Sequence, residues 1–223
     1  MKKCLIYIYL LLLTSLCCLQ AGAVSSEIRS LSVSDGLPDL VINTIYKDSK
    51  GYVWMGTNTS VERFDGIRLE HYMVEGSNEN LKRVFALIEM PGNELWVGTG
   101  MGLFRLADDA EKLERLAPEM ITSGVHAFCK LGDVLYVGTE KGLYVYKGGV
   151  FEHVLVDKNV FSRANFVTGM VEGENGILWL STMGGLKSFR LSDHTITSFS
   201  DKLAKNGQNL SFYNITRKFP ILG

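Results

Sequence analysis

The sequence has few cysteines, few prolines and no excess of charge of either sign. Cysteine and proline occur four times each among 223 residues, and 23 basic residues stand against 24 acidic ones. Cys4, Cys17 and Cys18 precede the rest of the chain in an apolar leader, so Cys129 alone remains after cleavage and no intrachain disulfide can form. A near-neutral chain without a basic stripe lacks the electrostatic footprint of a nucleic-acid-binding protein. These absences exclude a disulfide scaffold and argue against contact with nucleic acid.

The amino terminus is typical of a signal peptide. Lys2 and Lys3 precede a nearly continuous apolar run from Leu5 to Leu19, and Ala21-Gly22-Ala23 offers the small-x-small pattern that signal peptidase cleaves. The run of about 15 residues is shorter than the roughly 20 that a membrane-spanning helix needs. We therefore interpret residues 1–23 as a signal peptide that exports the chain to the periplasm, with an uncleaved anchor as the alternative.

A four-residue pattern, aromatic-x-Gly-Thr, is the most prominent feature of the sequence. Its aromatic residues follow one another at intervals of about 40–43 residues, which is the period of a β-propeller blade. The four copies are Trp54-Met55-Gly56-Thr57, Trp96-Val97-Gly98-Thr99, Tyr136-Val137-Gly138-Thr139 and Trp179-Leu180-Ser181-Thr182. Because the same residue types recur at the same place, we interpret the aromatic, glycine and threonine residues as packing anchors between blades.

Three further strand-like segments accompany each anchor. An innermost strand, with a β-branched first and a small third residue, is predicted at 42–47, 84–89, 125–130 and 167–172. A third strand is predicted at 61–64, 103–106, 143–146 and 186–189, and a weaker fourth at 68–72, 112–116, 150–154 and 195–199. Gly102, Gly142 and Gly185 precede the third strand, where a hairpin turn needs positive φ. Ser60 replaces this glycine in the first repeat, so we expect a different turn there.

These segments predict an all-β fold made of propeller blades, each with four antiparallel strands. The blades are expected at about 41–80, 81–122, 123–162 and 163–199, after an N-terminal strand (27–33) and linker within residues 24–40. Residues 200–223 resemble the start of a fifth blade. We therefore expect an incomplete, open propeller and interpret the chain as a fragment.

The first repeat resembles the two-component-regulator propeller repeat. The resemblance rests on Asp35-Gly36-Leu37-Pro38, the segment from Val41 to Asp48 with Gly51, the first anchor, and Arg63-Phe64-Asp65-Gly66; it extends from about residue 28 to 199. It implies the exported sensor region of a hybrid two-component system of gut Bacteroidetes. Such proteins carry two seven-bladed propellers, an immunoglobulin-like domain, a membrane helix, a histidine kinase, a receiver and a DNA-binding domain. They sense oligosaccharides, act as homodimers in some cases, and switch on polysaccharide-utilisation genes.

Candidate ligand-binding residues lie where the repeats differ from one another. The second position of the innermost strand holds Asn43, Phe85, His126 and Thr168, which would line a central channel if this position faces it. The long blade-to-blade loops, 75–82 and 156–165, are the other variable surface, and Arg83 and Arg163 there could hydrogen-bond a glycan. Packing is the commoner explanation for the strand residues, and solvation is the commoner explanation for the two loop arginines.

No catalytic, metal or cofactor site is recognisable in the sequence. Glycoside hydrolysis needs two carboxylates about 5–10 Å apart, and the acidic residues fall mostly in turns and strand ends. We therefore expect a non-enzymatic sensor segment with an oligosaccharide ligand and with further blades and domains as partners. A propeller hydrolase or lyase acting on polysaccharide and a protein-interaction propeller are the alternatives.

Overall fold

A computed structural model of the chain describes residues 30–74 and 81–199. These residues form four sheets of four antiparallel strands each. Blade 1 contains β1 (Thr44–Lys47), β2 (Val53–Gly56), β3 (Val61–Phe64) and β4 (Leu69–Tyr72), and blade 2 contains β5 (Val84–Met90), β6 (Glu94–Thr99), β7 (Gly102–Leu106) and β8 (Glu114–Arg115). Blade 3 contains β9 (Val125–Leu131), β10 (Val134–Thr139), β11 (Gly142–Lys147) and β12 (Val150–Val154), and blade 4 contains β13 (Val167–Glu172), β14 (Ile177–Thr182), β15 (Gly185–Arg190) and β16 (Ile196–Ser198).

Each sheet is a meander in which strands pair in chain order. The innermost strands of consecutive blades pack side by side, β1 with β5, β5 with β9 and β9 with β13. Within the described residues β1 and β13 share no comparable contact, so the four blades form an open series. The all-β prediction of four-stranded propeller blades is confirmed. No helix in the described part of the chain is long and apolar enough to cross a membrane.

The repeated glycine lies where consecutive blades approach most closely. A Cβ atom built at this position would lie less than 3 Å from the valine that opens the innermost strand of the next blade. The pairs are Gly56 with Val84 (2.5 Å to Cγ1), Gly98 with Val125 (2.8 Å) and Gly138 with Val167 (2.8 Å). The glycine and the β-branched residue thus form one contact between two blades, which is why both recur.

The anchor aromatics fill the space between the same blades. Trp54, Trp96 and Tyr136 are buried, each in an apolar cluster that it shares with the following blade. Trp179 is half-buried and packs edge-on against Phe199, with 5.0 Å between the ring centroids. Trp54, Trp96 and Tyr136 thus make the contacts between blades that the sequence repeat suggests, whereas the ring contact of Trp179 lies within blade 4.

The anchor threonine closes the turn between the second and third strands. Its hydroxyl accepts a hydrogen bond from the backbone N–H two residues later and donates to the carbonyl three residues later. These bonds join Thr57 to Thr59 and Ser60 (3.1 and 3.1 Å), Thr99 to Met101 and Gly102 (3.0 and 3.0 Å), Thr139 to Lys141 and Gly142 (3.1 and 2.9 Å), and Thr182 to Gly184 and Gly185 (3.1 and 2.6 Å).

The turn of blade 1 differs, as the sequence predicts. Gly102, Gly142 and Gly185 have φ angles of 122°, 126° and 98°, whereas Ser60 is not among the described residues with positive φ. Ser60 is buried and donates from Oγ to Glu62 Oε1 at 2.7 Å. A side-chain hydrogen bond therefore takes part in this turn, where the other blades use the conformational freedom of glycine.

Three strand predictions need correction. Residues 30–33, the described part of the strand predicted at 27–33, are not a strand, because Val33 begins a 3-10 turn, Val33–Asp35, in which Asp35 accepts hydrogen bonds from Ser32 N (2.9 Å) and Oγ (2.8 Å). In blade 1 the innermost strand begins at Thr44, two residues late. In blade 2 the fourth strand shrinks to Glu114–Arg115, since Leu113 donates instead to the Met73 carbonyl of blade 1 (2.9 Å). The signal peptide, residues 27–29, most of the 75–82 loop and the start of the fifth blade lie outside the described residues.

Candidate functional site

The variable position of the innermost strand is a β-bulge in blades 2, 3 and 4. In blade 2, Val84 pairs with Thr99 and Ala86 pairs with Gly98, which leaves Phe85 between them without a partner. His126 and Thr168 occupy the same unpaired position in their blades. A bulge redirects its extra side chain relative to the pleat and is over-represented beside functional sites. The position whose residue type varies between repeats is thus also the position at which the innermost strand has a residue without a partner on the neighbouring strand in blades 2, 3 and 4.

Two of these bulge residues meet across the boundary between blades. The rings of Phe85 and His126 lie 4.1 Å apart, and His126 in turn lies 4.7 Å from Phe166, the residue before β13. Only 12% of the His126 side chain is exposed. Three aromatic rings from blades 2, 3 and 4 therefore form a continuous row at the edge where the innermost strands begin, which we call the upper edge.

Polar side chains continue this row toward blade 1. Asn58 Oδ1 accepts hydrogen bonds from Asn43 Nδ2 (3.1 Å) and from Arg83 Nε (3.3 Å). The Arg83 guanidinium carbon lies 5.9 Å from the centre of the Phe85 ring, within the range of a cation–π contact. Asn43, although it precedes β1, is thereby connected to the aromatic part through Asn58 and Arg83.

The backbone at Arg83 is held in an uncommon conformation. Lys82 and Arg83 have φ angles of 48° and 73°, a region that residues other than glycine seldom adopt. Arg83 N donates to Asn58 O (2.8 Å), and Arg83 O accepts from Gly100 N (3.0 Å). One hydrogen bond to blade 1 and one within blade 2 thus fix the backbone of Arg83, and strain of this kind is concentrated at functional sites.

A carboxylate pairs with the histidine of the row. Glu140 Oε1 lies 3.2 Å from His126 Nε2, and Glu140 N donates to Gly124 O at 3.1 Å. A Cβ at Gly124 would lie 2.7 Å from Glu140 Oε1 and 3.1 Å from His126 Nε2. Glycine at position 124 therefore makes room for the pair.

The upper-edge row consists of Asn43, Asn58, Arg83, Phe85, His126, Glu140 and Phe166. Of the predicted candidates, the structure brings Asn43, Arg83, Phe85 and His126 together in it. Thr168 instead donates to Ser181 O at 3.2 Å, and Arg163 Nη2 lies 3.8 Å from Met183 Sδ. Neither makes a hydrogen bond or a ring contact with the row among the contacts of the described residues.

Sequence reasoning missed Asn58, Glu140 and Phe166. Asn58 and Glu140 directly follow the anchor threonine, and Phe166 directly precedes the innermost strand. Both positions vary from repeat to repeat, as the bulge position does: the first reads Asn58, Gly100, Glu140 and Met183, and the second reads Val41, Arg83, Gly124 and Phe166. This variation between repeats is the sequence feature from which Asn58, Glu140 and Phe166 could have been identified.

The blade 1 end of the upper edge carries a further carboxylate. Asp39 Oδ1 accepts a hydrogen bond from Val41 N at 2.9 Å. This bond, aided by Asn58, lowers the pKa of Asp39 below its ordinary value, so the group is anionic at neutral pH.

The opposite, lower edge has a groove of about 670 Å³ between blades 1 and 2. It contains two ion pairs, Lys50 with Asp108 and Arg63 with Glu70, and is also lined by the acidic residues Asp109 and Glu111. The Lys50 ammonium lowers the pKa of Asp108, and Asp108 raises the pKa of Lys50. Because its principal ions already neutralise each other, we regard this groove as a weaker candidate than the upper-edge row.

The row offers chemistry suited to recognition. It combines aromatic rings, amide groups, a guanidinium and a carboxylate along one edge. Among the described residues no group of three or more His, Cys, Asp or Glu side chains could hold a metal ion.

Comparison with known proteins gives matches in sequence and in structure. The family model described as the two component regulator propeller matches residues 36–59. Histidine kinase P4 of Formosa agariphila is 27% identical over 87% of this chain, and the chain spans 16% of that protein.

Solved structures with similar folds include an extracellular domain of a hybrid two component system and a lyase. The extracellular domain of a protein described as a hybrid two component system of B. thetaiotaomicron is similar with a TM-score of 0.65 at 22% identity, covering 77% of this chain and 26% of that one. Virginiamycin B lyase of Staphylococcus aureus is similar with a TM-score of 0.56 at 17% identity, covering 73% of this chain and 57% of that one. Both likenesses concern the fold. The chain therefore has a propeller fold, matches the two component regulator propeller at residues 36–59, and is similar in fold to the extracellular domain of a hybrid two component system.

Proposed function

We propose that this chain forms part of the exported, non-enzymatic sensor region of a hybrid two-component regulator and binds an oligosaccharide at the upper-edge row. The observation that carries the proposal is the contact of residues from four blades in one row, at the positions where the repeats diverge. Signalling output would reside in further domains, because the chain spans only 16% of the histidine kinase that it resembles.

The chemistry of the row favours a sugar ligand. Oligosaccharides present hydroxyl groups and flat apolar C–H faces, which require hydrogen-bonding side chains interleaved with aromatic surface. The row alternates the two: Asn58 and Arg83 lie next to Phe85, and Glu140 lies next to His126. Because Arg83 and Asn58 already hydrogen-bond each other, little conformational entropy remains to be lost on binding.

The experiment is calorimetric titration of the purified chain with a panel of oligosaccharides, comparing wild type with Arg83→Ala. Arg68→Ala is the matched control, because Arg68 is exposed on a turn at the lower edge. We expect Arg83→Ala to weaken binding about tenfold, as loss of a hydrogen bond from a charged group does, and Arg68→Ala to leave it unchanged.

Two results would contradict the proposal. No binding by the wild-type chain to any member of the panel, or equal effects of the two arginine substitutions, would reject the upper-edge row as the ligand site. Conversion of an oligosaccharide to products, abolished in His126→Ala, would identify the protein as a hydrolase or lyase instead.

A further inference from the structure

The loop from Val156 to Asn165, between blades 3 and 4, is held by its own polar side chains. The Asp157 carboxylate accepts hydrogen bonds from Asn159 N (3.0 Å) and Ser162 Oγ (3.0 Å). The buried Asn165 side chain accepts from Asp157 N (2.9 Å) and donates to Asp157 O (3.2 Å) and Asn159 O (2.9 Å). The loop is thus ordered from within.

This ordered loop carries a solvent-exposed phenylalanine. Phe161 is 92% exposed, more than any other large apolar residue among the described ones, and its N–H donates to Asn159 Oδ1 at 3.1 Å. A flexible loop could fold such a ring back onto the protein. Here the hydrogen bonds that order the loop fix the backbone that carries the ring, which limits such a movement.

The loop lies on the same edge as the upper-edge row. A 3-10 turn, Arg163–Asn165, leads from Phe161 directly into Phe166, which contacts His126. Five residues of chain span at most about 18 Å. A single oligosaccharide could therefore touch both the row and the Phe161 ring.

We propose that Phe161 is a stacking platform for one sugar ring of the oligosaccharide bound at the upper-edge row. This inference rests on the proposed function and adds to it a second contact point and an extended ligand. The platform would bind the apolar face of a pyranose ring, while Arg163, exposed two residues later, lies near enough in sequence to donate to its hydroxyl groups.

The surroundings of Phe161 favour a sugar over a protein partner. Protein interfaces need a contiguous apolar patch with anchors in its centre. Val160, 58% exposed, accompanies the ring on this loop, and Met183, 49% exposed, contacts Arg163, whereas Lys158, Asn159 and Arg163 are polar and exposed. A flat ring among hydrogen-bonding groups suits a ligand that is itself half apolar and half hydroxylated. Fixing the ring in advance reduces the entropy lost on binding.

Substitutions at position 161 distinguish the two kinds of partner, since stacking needs a flat ring whereas apolar docking tolerates an aliphatic side chain. With the oligosaccharide that binds the wild-type chain, we expect Phe161→Leu and Phe161→Ala to weaken binding about 3- to 10-fold. Phe161→Trp should retain it. Ile67→Ala is the matched control, because Ile67 is 78% exposed on a lower-edge turn, and it should change nothing.

The outcomes separate this inference from the function on which it rests. If the wild-type chain binds an oligosaccharide and Phe161→Ala binds it equally well, the platform is rejected and the proposed function stands. If Phe161→Ala leaves sugar affinity intact but abolishes self-association in sedimentation velocity, the ring is a protein contact. Absence of wild-type binding rejects both. Unchanged melting temperatures for the variants would show that the loop substitutions leave the fold intact.

Discussion

The anchors between the blades and the row at the upper edge differ in how tightly the neighbouring blade constrains them. At Gly98 a single added carbon would lie 2.8 Å from Val125 of the next blade, and Trp96 beside it is only 3% exposed. At the upper edge, by contrast, the bulge releases Phe85 from the ladder, and the same position accepts histidine and threonine in other blades. Positions that keep the same residue type in every repeat are therefore those that pack closely against the next blade. Positions that differ between repeats are less constrained by packing.

The largest expected difference between the two regions comes from removing one aromatic ring from each of them. Trp96→Ala should lower the free energy of unfolding by about 3–5 kcal/mol, because it removes a fully buried ring from the cluster between blades 2 and 3. Phe85→Ala, at a half-buried ring, should cost no more than about 1.5 kcal/mol. Urea unfolding followed by far-ultraviolet circular dichroism measures both; equal losses would show that the row is as much a part of the core as the anchors are.

A pair of threonine substitutions tests the same contrast with hydrogen bonds. Thr139→Val leaves Lys141 N and Gly142 O without their buried hydroxyl partner and should cost about 1–3 kcal/mol. Thr168→Val removes a bond to Ser181 at a half-buried bulge and should cost less than about 1 kcal/mol. A larger loss at Thr168 in the same unfolding measurement would mean that the bulge position is structural.

The smallest expected effect concerns pH. Hydrogen bonds from Asn159 N and Ser162 Oγ lower the pKa of Asp157 in the folded loop below its usual value. A depressed folded-state pKa stabilises the ordered loop above the unfolded pKa of about 3.9, and the stabilisation is lost as the pH falls through the folded-state value. The repeated anchors carry no group that titrates in this range.

Hydrogen exchange, corrected for intrinsic rates, would measure this difference. Between pH 6 and pH 3, protection should fall in the loop from 156 to 165 and persist in β6 and β10. Asp157→Asn should remove much of the pH dependence of the loop. A parallel loss of protection in the loop and in both strands would contradict the distinction between the two regions.

Most of the fold could be predicted because four copies of one pattern reinforce one another. Innermost and third strands were placed within one or two residues wherever a β-branched or glycine residue marked their start. The fourth strand of blade 2, predicted at 112–116, is shorter in the structure, since the pairing of Leu113 with blade 1 is a contact that no local pattern encodes. The strand predicted at 27–33 is wrong over its described residues, because alternation over a few residues does not reveal that Ser32 and Asp35 cap each other.

The candidate site could be predicted only in part. Divergence between repeats pointed to Phe85 and His126, but their ring contact depends on how blades 2 and 3 pack, and the roles of Asn58 and Glu140 depend on which turn faces which strand. Thr168 has the same position in its repeat and yet turns to Ser181. Equivalent positions in the sequence are thus not equivalent in their contacts.

The four-stranded blade follows from the sequence alone, because the repeat period, the turn glycines and the apolar alternation are local properties of each repeat. Contacts among the variable residues depend on how the blades pack: Asn43, Arg83, Phe85, His126 and Phe166 come together only when each blade packs its opening valine onto the glycine of the blade before it. A strand specifies its own pleat, whereas a row across four blades exists only at the interfaces between them.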